Sequence, residues 1–145
     1  MAGSGDAVEK KKAILRWLSP PDPSTNHQKG LKLRQADTGL WFLESEQYAE
    51  WKASPSSFIW LYGIPECGKT ILSSTIIEDV LQYCINNPGK AAAYFYFDFK
   101  DLQKQSSEFM IKSLITQLSQ QRMGISPLLD SLFRSSNNGQ RQPSI

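Results

Sequence analysis

Eight consecutive residues carry the clearest chemistry in this sequence. They match G-x-x-x-x-G-K-[ST], the phosphate-binding loop called Walker A, between a predicted strand and a predicted helix. In such a loop the backbone amides at the helix N-terminus form a nest for phosphate oxygens. The residues expected to bind phosphate are Gly63, Ile64, Pro65, Glu66, Cys67, Gly68, Lys69 and Thr70.

Four positions of the loop have separate tasks. Gly63 and Gly68 let the backbone turn and approach a phosphate without interference from a Cβ atom. Lys69 supplies a positive charge for the β- and γ-phosphates, and the Thr70 hydroxyl is a ligand for Mg²⁺. The expected cofactor is therefore ATP or ADP with Mg²⁺, and the sequence offers no residue that we assign as catalytic.

Two side chains within the loop allow more than one interpretation. Glu66 stands where many such loops have glycine, and its carboxylate repels a triphosphate unless it points to solvent or meets a cation. We expect it to point outward. Cys67 lies near a helix N-terminus, where thiols become reactive, but a small filling residue without a redox role is the favoured interpretation.

The elements around the loop predict an α/β fold. The apolar runs at 58–62 and 91–99 are typical of strands buried on both faces, and helical periodicity follows each run, at 70–85 and at 111–118. The order strand, helix, strand, helix predicts a parallel sheet with flanking helices, as in an incomplete P-loop NTPase domain. Another short helix is predicted at 128–133.

The first third of the chain is predicted to be helical. Residues 1–10 are expected to be loose, and residues 11–56 to form a helical segment interrupted by prolines. Within it, one helical face is expected between Leu40 and Trp51. The P-loop NTPase part then occupies residues 57–145.

Composition excludes several classes of protein. The chain has 145 residues, of which 40% are hydrophobic and 21% are charged, as in soluble globular domains. A net charge of +2 gives no electrostatic footprint for nucleic acid or a membrane surface, and no apolar stretch resembles a signal peptide or a membrane span. Two cysteines and one histidine cannot build a four-ligand zinc site. We expect a cytoplasmic protein with reduced thiols.

Two other polar residues are weaker candidates. Asp98 follows four aromatic residues, as the acid of a Walker B strand follows apolar residues, but Walker B normally lies on a later strand. A structural role at a strand end is therefore favoured. His27 lies in a polar helix start and is expected at the surface.

Several further segments, in the same order, resemble one protein family. Ile14–Pro23, Thr38–Leu43, Phe58–Pro65 and Tyr94–Phe99, together with the loop, resemble the N-terminal part of fungal NACHT-type NTPase domains. These form the nephrocystin-3-like N-terminal group within the STAND class of signalling ATPases. The resemblance extends over residues 12–145.

The resemblance implies a nucleotide-dependent switch, in which bound ADP or ATP sets a closed or an oligomerising state. It further implies that Thr38, Gly39 and Trp41 lie where such domains contact adenine or ribose, although core packing is the favoured interpretation for Trp41. Such domains usually have glycine in place of Glu66. Their Walker B strand should follow residues 140–144, so we expect hydrolysis by this chain alone to be negligible.

Two other functions remain open. The first is an interaction module that binds no nucleotide and pairs with NACHT relatives. Independently, the incomplete parallel sheet would have an unpaired edge, which predicts self-association. The second is a small P-loop kinase, which is disfavoured because none of Arg122, Arg134 and Arg141 lies in a convincing lid. Stabilisation by Mg-ATP or Mg-ADP distinguishes a nucleotide-binding protein from the interaction module.

Overall fold

The computed structural model describes residues 3–33, 39–64, 68–98 and 100–143. Within these ranges every regular element is helical. The elements, in chain order, are α1 (Gly3–Leu18), α2 (Ser24–Leu33), α3 (Leu40–Leu43), α4 (Glu46–Ala53), α5 (Lys69–Ile85), a 3-10 turn (Leu102–Lys104), α6 (Ser107–Gln120) and α7 (Pro127–Ser135).

The structure overturns the predicted fold class. The expectation of an α/β P-loop NTPase fold with a parallel sheet is wrong, because no strand forms among the described residues. Residues 58–62 and 91–98 have strand-like sequences but no regular secondary structure. A strand requires a neighbouring backbone to complete its hydrogen bonds, and an apolar, aromatic sequence does not guarantee that neighbour.

Side-chain amides of Gln117 in α6 and of its C-cap residue Gln121 hydrogen bond to the backbone of Tyr94 and Ala92, as a neighbouring strand would. Gln117 Nε2 donates to the Tyr94 carbonyl at 2.7 Å, and Gln117 Oε1 accepts from the Tyr94 N–H at 3.0 Å. Gln121 pairs in the same way with Ala92, at 2.7 and 3.1 Å. Gln117 and Gln121 are four residues apart, a rise of about 6.0 Å along a helix, and Ala92 and Tyr94 are two residues apart, about 6.6 Å along an extended chain. The two spacings therefore match.

The chain divides into two compact units. The first unit comprises Met1–Pro23 and Ala91–Ile145, and the second comprises Ser24–Lys90. In the first unit, α1 packs against α7 and α6. Its core contains Ile14, Leu18, Leu129 and Phe133.

The second unit is organised around α5. Helix α2 packs along α5, and Tyr48 of α4 is buried between Phe42 and Trp51, with ring centroids 5.2 and 5.7 Å away. The helical face predicted between Leu40 and Trp51 is divided between α3 and α4. The division comes at Ser45, whose extended backbone caps α4 while its hydroxyl accepts from the Tyr48 N–H at 3.3 Å.

The other helix predictions are close to the observed bounds. The helix expected over 70–85 is α5, and the helices expected around 111–118 and 128–133 are α6 and α7. Residues expected to be loose at the N-terminus instead belong to α1 from Gly3 onward.

Candidate functional site

The second half of the Walker A motif lies at the start of a long helix. Gly68 is the N-cap of α5 and has φ 90° and ψ 14°, a left-handed conformation that glycine adopts readily. The Gly68 carbonyl accepts from the Leu72 N–H at 2.9 Å, which closes the first turn. A Cβ atom at Gly68 would meet nothing within 4 Å, so the space beside this backbone is open.

Lys69 folds back over the first half of the motif. Its Nζ donates to the Gly63 carbonyl at 2.5 Å and to the Ile64 carbonyl at 2.8 Å. The structure therefore brings Gly63 and Ile64, from the first half of the motif, together around the Lys69 ammonium group. Thr70 follows in the first turn of α5 and is exposed.

The remaining loop positions lie outside the described residues. These are Pro65, Glu66 and Cys67, and Thr38 also lies outside them. The outward direction of Glu66 and the filling role of Cys67 therefore stay predictions.

A cavity of about 340 Å³, a volume usual for small-molecule sites, adjoins the motif. Another cavity, of about 370 Å³, lies in the first unit and does not include residues of the motif. The cavity beside the motif is lined by Gly39, Trp41, Leu61, Tyr62, Gly68, Lys69, Ile71 and Leu72. Trp41 is 70% exposed and Tyr62 is 85% exposed, so core packing does not describe Trp41. The sequence analysis did not include Tyr62 among the site residues, although its position directly before Gly63 places it next to the motif.

A partly buried polar cluster of Tyr48, Lys52 and Asp79 joins α4 to α5. The Tyr48 hydroxyl, in a side chain that is 2% exposed, donates to Asp79 Oδ2 at 2.5 Å, and Lys52 Nζ donates to the same oxygen at 3.0 Å. Burial raises the pKa of Tyr48 far above 10.0, and the hydrogen bond to Asp79 and its negative charge raise it further. The hydroxyl therefore remains a donor at every physiological pH.

The pKa of Asp79 is shifted in the opposite direction. Burial alone would raise the pKa of Asp79, but hydrogen bonds from Tyr48 and Lys52, together with the Lys52 charge, lower it below 3.8. Asp79 is therefore ionised at neutral pH and accepts from both partners. Its role in the second unit is to hold two helices together.

His27 is not at the surface, contrary to the prediction. Its side chain lies on α2 with 3% of its area exposed, and Nε2 lies 2.7 Å from Glu78 Oε1 on α5. The polar residues around His27 in the sequence suggested exposure. The partner that buries it lies 51 residues away, where local pattern cannot reach.

Asp98 belongs to the first unit and takes part in a turn. Its Oδ1 accepts from the Lys100 N–H at 2.9 Å, and its backbone N–H donates to the Lys104 carbonyl at 2.9 Å. These contacts agree with the structural role favoured from the sequence. Over the described ranges, no group of three or more His, Cys, Asp or Glu side chains is arranged to hold a metal ion.

The family model described as "Nephrocystin 3, N-terminal" matches residues 37–144. The chain belongs to the nephrocystin 3 N-terminal family. This match includes the whole Walker A motif, Trp41 and Asp98, whereas α1 and α2 precede it. No curated protein and no solved structure gives a match to the chain. None of the described helices of this nephrocystin 3 N-terminal domain is both long and apolar enough to cross a membrane.

Proposed function

We propose that this nephrocystin 3 N-terminal domain is the nucleotide-binding portion of a cytoplasmic, STAND-type signalling NTPase of the NACHT kind. In this proposal the phosphates of ATP or ADP bind at the start of α5. The observation that carries it is the arrangement of Gly68, Lys69 and Thr70 at the N-terminus of a 17-residue helix. A long helix presents N–H groups and a partial positive charge at that end, and both favour an anion.

The position of Lys69 supports a phosphate rather than a neutral ligand. Its ammonium group lies against the Gly63 and Ile64 carbonyls at hydrogen-bond distance, so it is already held at the motif. Lysine has three N–H donors, and an arriving phosphate oxygen can accept from one of them or replace a carbonyl. A charge-assisted bond to phosphate is stronger than one to a neutral carbonyl, so the exchange favours the anion.

The cavity beside the motif accounts for the remainder of the ligand. Its volume of about 340 Å³ lies within the usual range for small-molecule sites. Trp41 and Tyr62 contribute exposed aromatic surface to it, and aromatic faces stack on nucleobases. We propose that the base and ribose occupy this cavity while the phosphates extend toward Lys69.

The residues present fit Mg²⁺ only in part. The Thr70 hydroxyl is exposed in the first turn of α5 and would supply one oxygen ligand, and phosphate oxygens and water would supply the others. Bound Mg²⁺ would neutralise part of the phosphate charge. Thr70 is the one metal ligand that the motif provides, and the proposal therefore concerns binding rather than hydrolysis.

Thermal unfolding with Mg-ADP and Mg-ATP tests the proposal. A ligand at one hundred times its Kd stabilises the folded state by about 2.7 kcal/mol, and the melting temperature should rise accordingly. Lys69→Ala should abolish the rise, and Lys29→Ala, at an exposed lysine of α2, should preserve it. An equal rise in wild type and Lys69→Ala would contradict binding at this motif.

One observation favours the interaction module as a second candidate. Four large apolar side chains close together in the sequence, those of Phe58, Trp60, Tyr62 and Ile64, are all strongly exposed. Large exposed apolar patches usually mark interaction sites. In that case the protein would associate with itself or with NACHT relatives, and neither nucleotide would change its melting temperature.

A further inference from the structure

Helices α2 and α5 approach so closely that no side chain fits between them at one point. Gly30 of α2 is buried against Ser74 of α5, which is 0% exposed. A Cβ atom at Gly30 would lie 1.9 Å from Ser74 Oγ and 2.9 Å from Ser74 Cβ. Rotation of the hydroxyl can relieve the first contact, but only movement of a helix can relieve the second.

The contact between Gly30 and Ser74 is linked to the first turn of α5 through the Thr70 carbonyl. Ser74 Oγ donates to the Thr70 carbonyl at 3.0 Å, and a Cβ atom at Gly30 would also lie 3.4 Å from that carbonyl oxygen. Thr70 and Lys69 belong to the same turn. A change that separates the two helices here is therefore expected to shift Lys69 and Thr70 relative to α2.

A second contact fixes the register of the same two helices. His27 lies three residues before Gly30 in α2, and Glu78 lies four residues after Ser74 in α5, so each pair shares one helix face. The distance of 2.7 Å between His27 Nε2 and Glu78 Oε1 is that of a hydrogen bond. Two points of attachment, one close-packed and one polar, prevent α2 from sliding or rolling on α5.

We propose that α2 is a positioning element for the phosphate-binding end of α5, and that Gly30 and His27 are its positioning residues. This inference rests on the proposed function. A side chain at residue 30 would push the helices apart by roughly 0.5–1 Å to reach ordinary van der Waals contact. In enzymes, misplacement of a site residue by about 1 Å lowers the reaction rate by up to about a hundredfold, and we expect a smaller but measurable loss for nucleotide binding.

The decisive variant is Gly30→Ala, compared with Gly30→Ala/Ser74→Gly. Nucleotide affinity should fall about tenfold or more in the single variant and recover in part in the double variant, because the second change removes the Cβ atom that collides but also the hydroxyl that bonds to the Thr70 carbonyl. Gly5→Ala is the matched control, since Gly5 is also a helical glycine but its added Cβ atom would meet nothing within 4 Å. It should bind nucleotide like wild type.

Hydrogen exchange provides a readout that needs no nucleotide. Amides of residues 72–74, the first in α5 whose acceptors lie in the helix start, should exchange faster in Gly30→Ala and return toward wild-type rates in the double variant. If wild type binds no nucleotide, the proposed function fails, while faster exchange in Gly30→Ala would still establish that α2 positions α5. Unchanged exchange and unchanged affinity in Gly30→Ala would overturn the inference.

His27 gives an independent test if Gly30→Ala does not fold. His27→Ala should weaken nucleotide binding, and His27→Gln should restore part of it, because the carboxamide can still donate to Glu78. A purely structural role would lower the melting temperature in His27→Ala without changing the affinity. That second result would overturn the assignment of His27 as a positioning residue.

Discussion

The cluster of Tyr48, Lys52 and Asp79 makes a quantitative prediction about the stability of the second unit. Asp79→Ala leaves the Tyr48 hydroxyl without its acceptor in a side chain that is 2% exposed. An unsatisfied buried hydroxyl costs about 1–3 kcal/mol, and the partly exposed Lys52 regains water, so the expected loss is about 2 kcal/mol. Tyr48→Phe removes the hydroxyl itself and should cost about 1 kcal/mol.

The double variant isolates the interaction. Tyr48→Phe/Asp79→Ala has no orphaned hydroxyl, so it should cost about 1 kcal/mol, less than Asp79→Ala alone, rather than the sum of about 3 kcal/mol. Urea unfolding followed by tryptophan fluorescence measures this, and 2 kcal/mol corresponds to a midpoint shift of about 1 M. Gln82→Ala, at an exposed position of α5, is the control. Additive losses, or a loss in Asp79→Ala no larger than in the control, would refute the reasoning.

Three other predictions concern Asp79, Gln117 and Glu66. Because the pKa of Asp79 in the fold lies below 3.8, its contribution to the free energy of unfolding should be complete above that pH and disappear as the pH falls further. In Asp79→Asn the free energy of unfolding should therefore depend less on pH in the acid range. Gln117→Ala should speed hydrogen exchange of the Tyr94 amide about tenfold, and equal rates would show that the carboxamide does not protect it. Glu66→Gly should tighten nucleotide binding, and an unchanged Kd would contradict repulsion by that carboxylate.

Local sequence patterns located the helices but not the interactions between segments. The periodicity of 70–85 predicted α5 to within one residue, because an amphipathic helix is specified by its own residues. The aromatic residues of 91–98 indicated a strand, but a strand depends on a distant partner. In the described structure Gln117 and Gln121 hydrogen bond to Tyr94 and Ala92, and the positions of these glutamines in the sequence did not predict those bonds.

In the candidate site too, the sequence predicted the local motif but not the contacts between distant segments. The spacing of Gly63, Gly68 and Lys69 identified the motif, because consecutive residues build most of it. The burial of His27 and the close approach at Gly30 both depend on α5, more than 40 residues further along the chain. Sequence reasoning could not pair these residues, since nothing local distinguishes such a histidine or glycine from an exposed one.

Calorimetric titration of the chain with ADP and ATP in the presence of Mg²⁺ tests the central claim most directly. Saturable heat in the wild type that disappears in Lys69→Ala, with both samples shown to be folded, is the predicted result. Absence of binding heat from folded wild-type protein would contradict nucleotide binding at the start of α5 and leave the interaction module as the supported function.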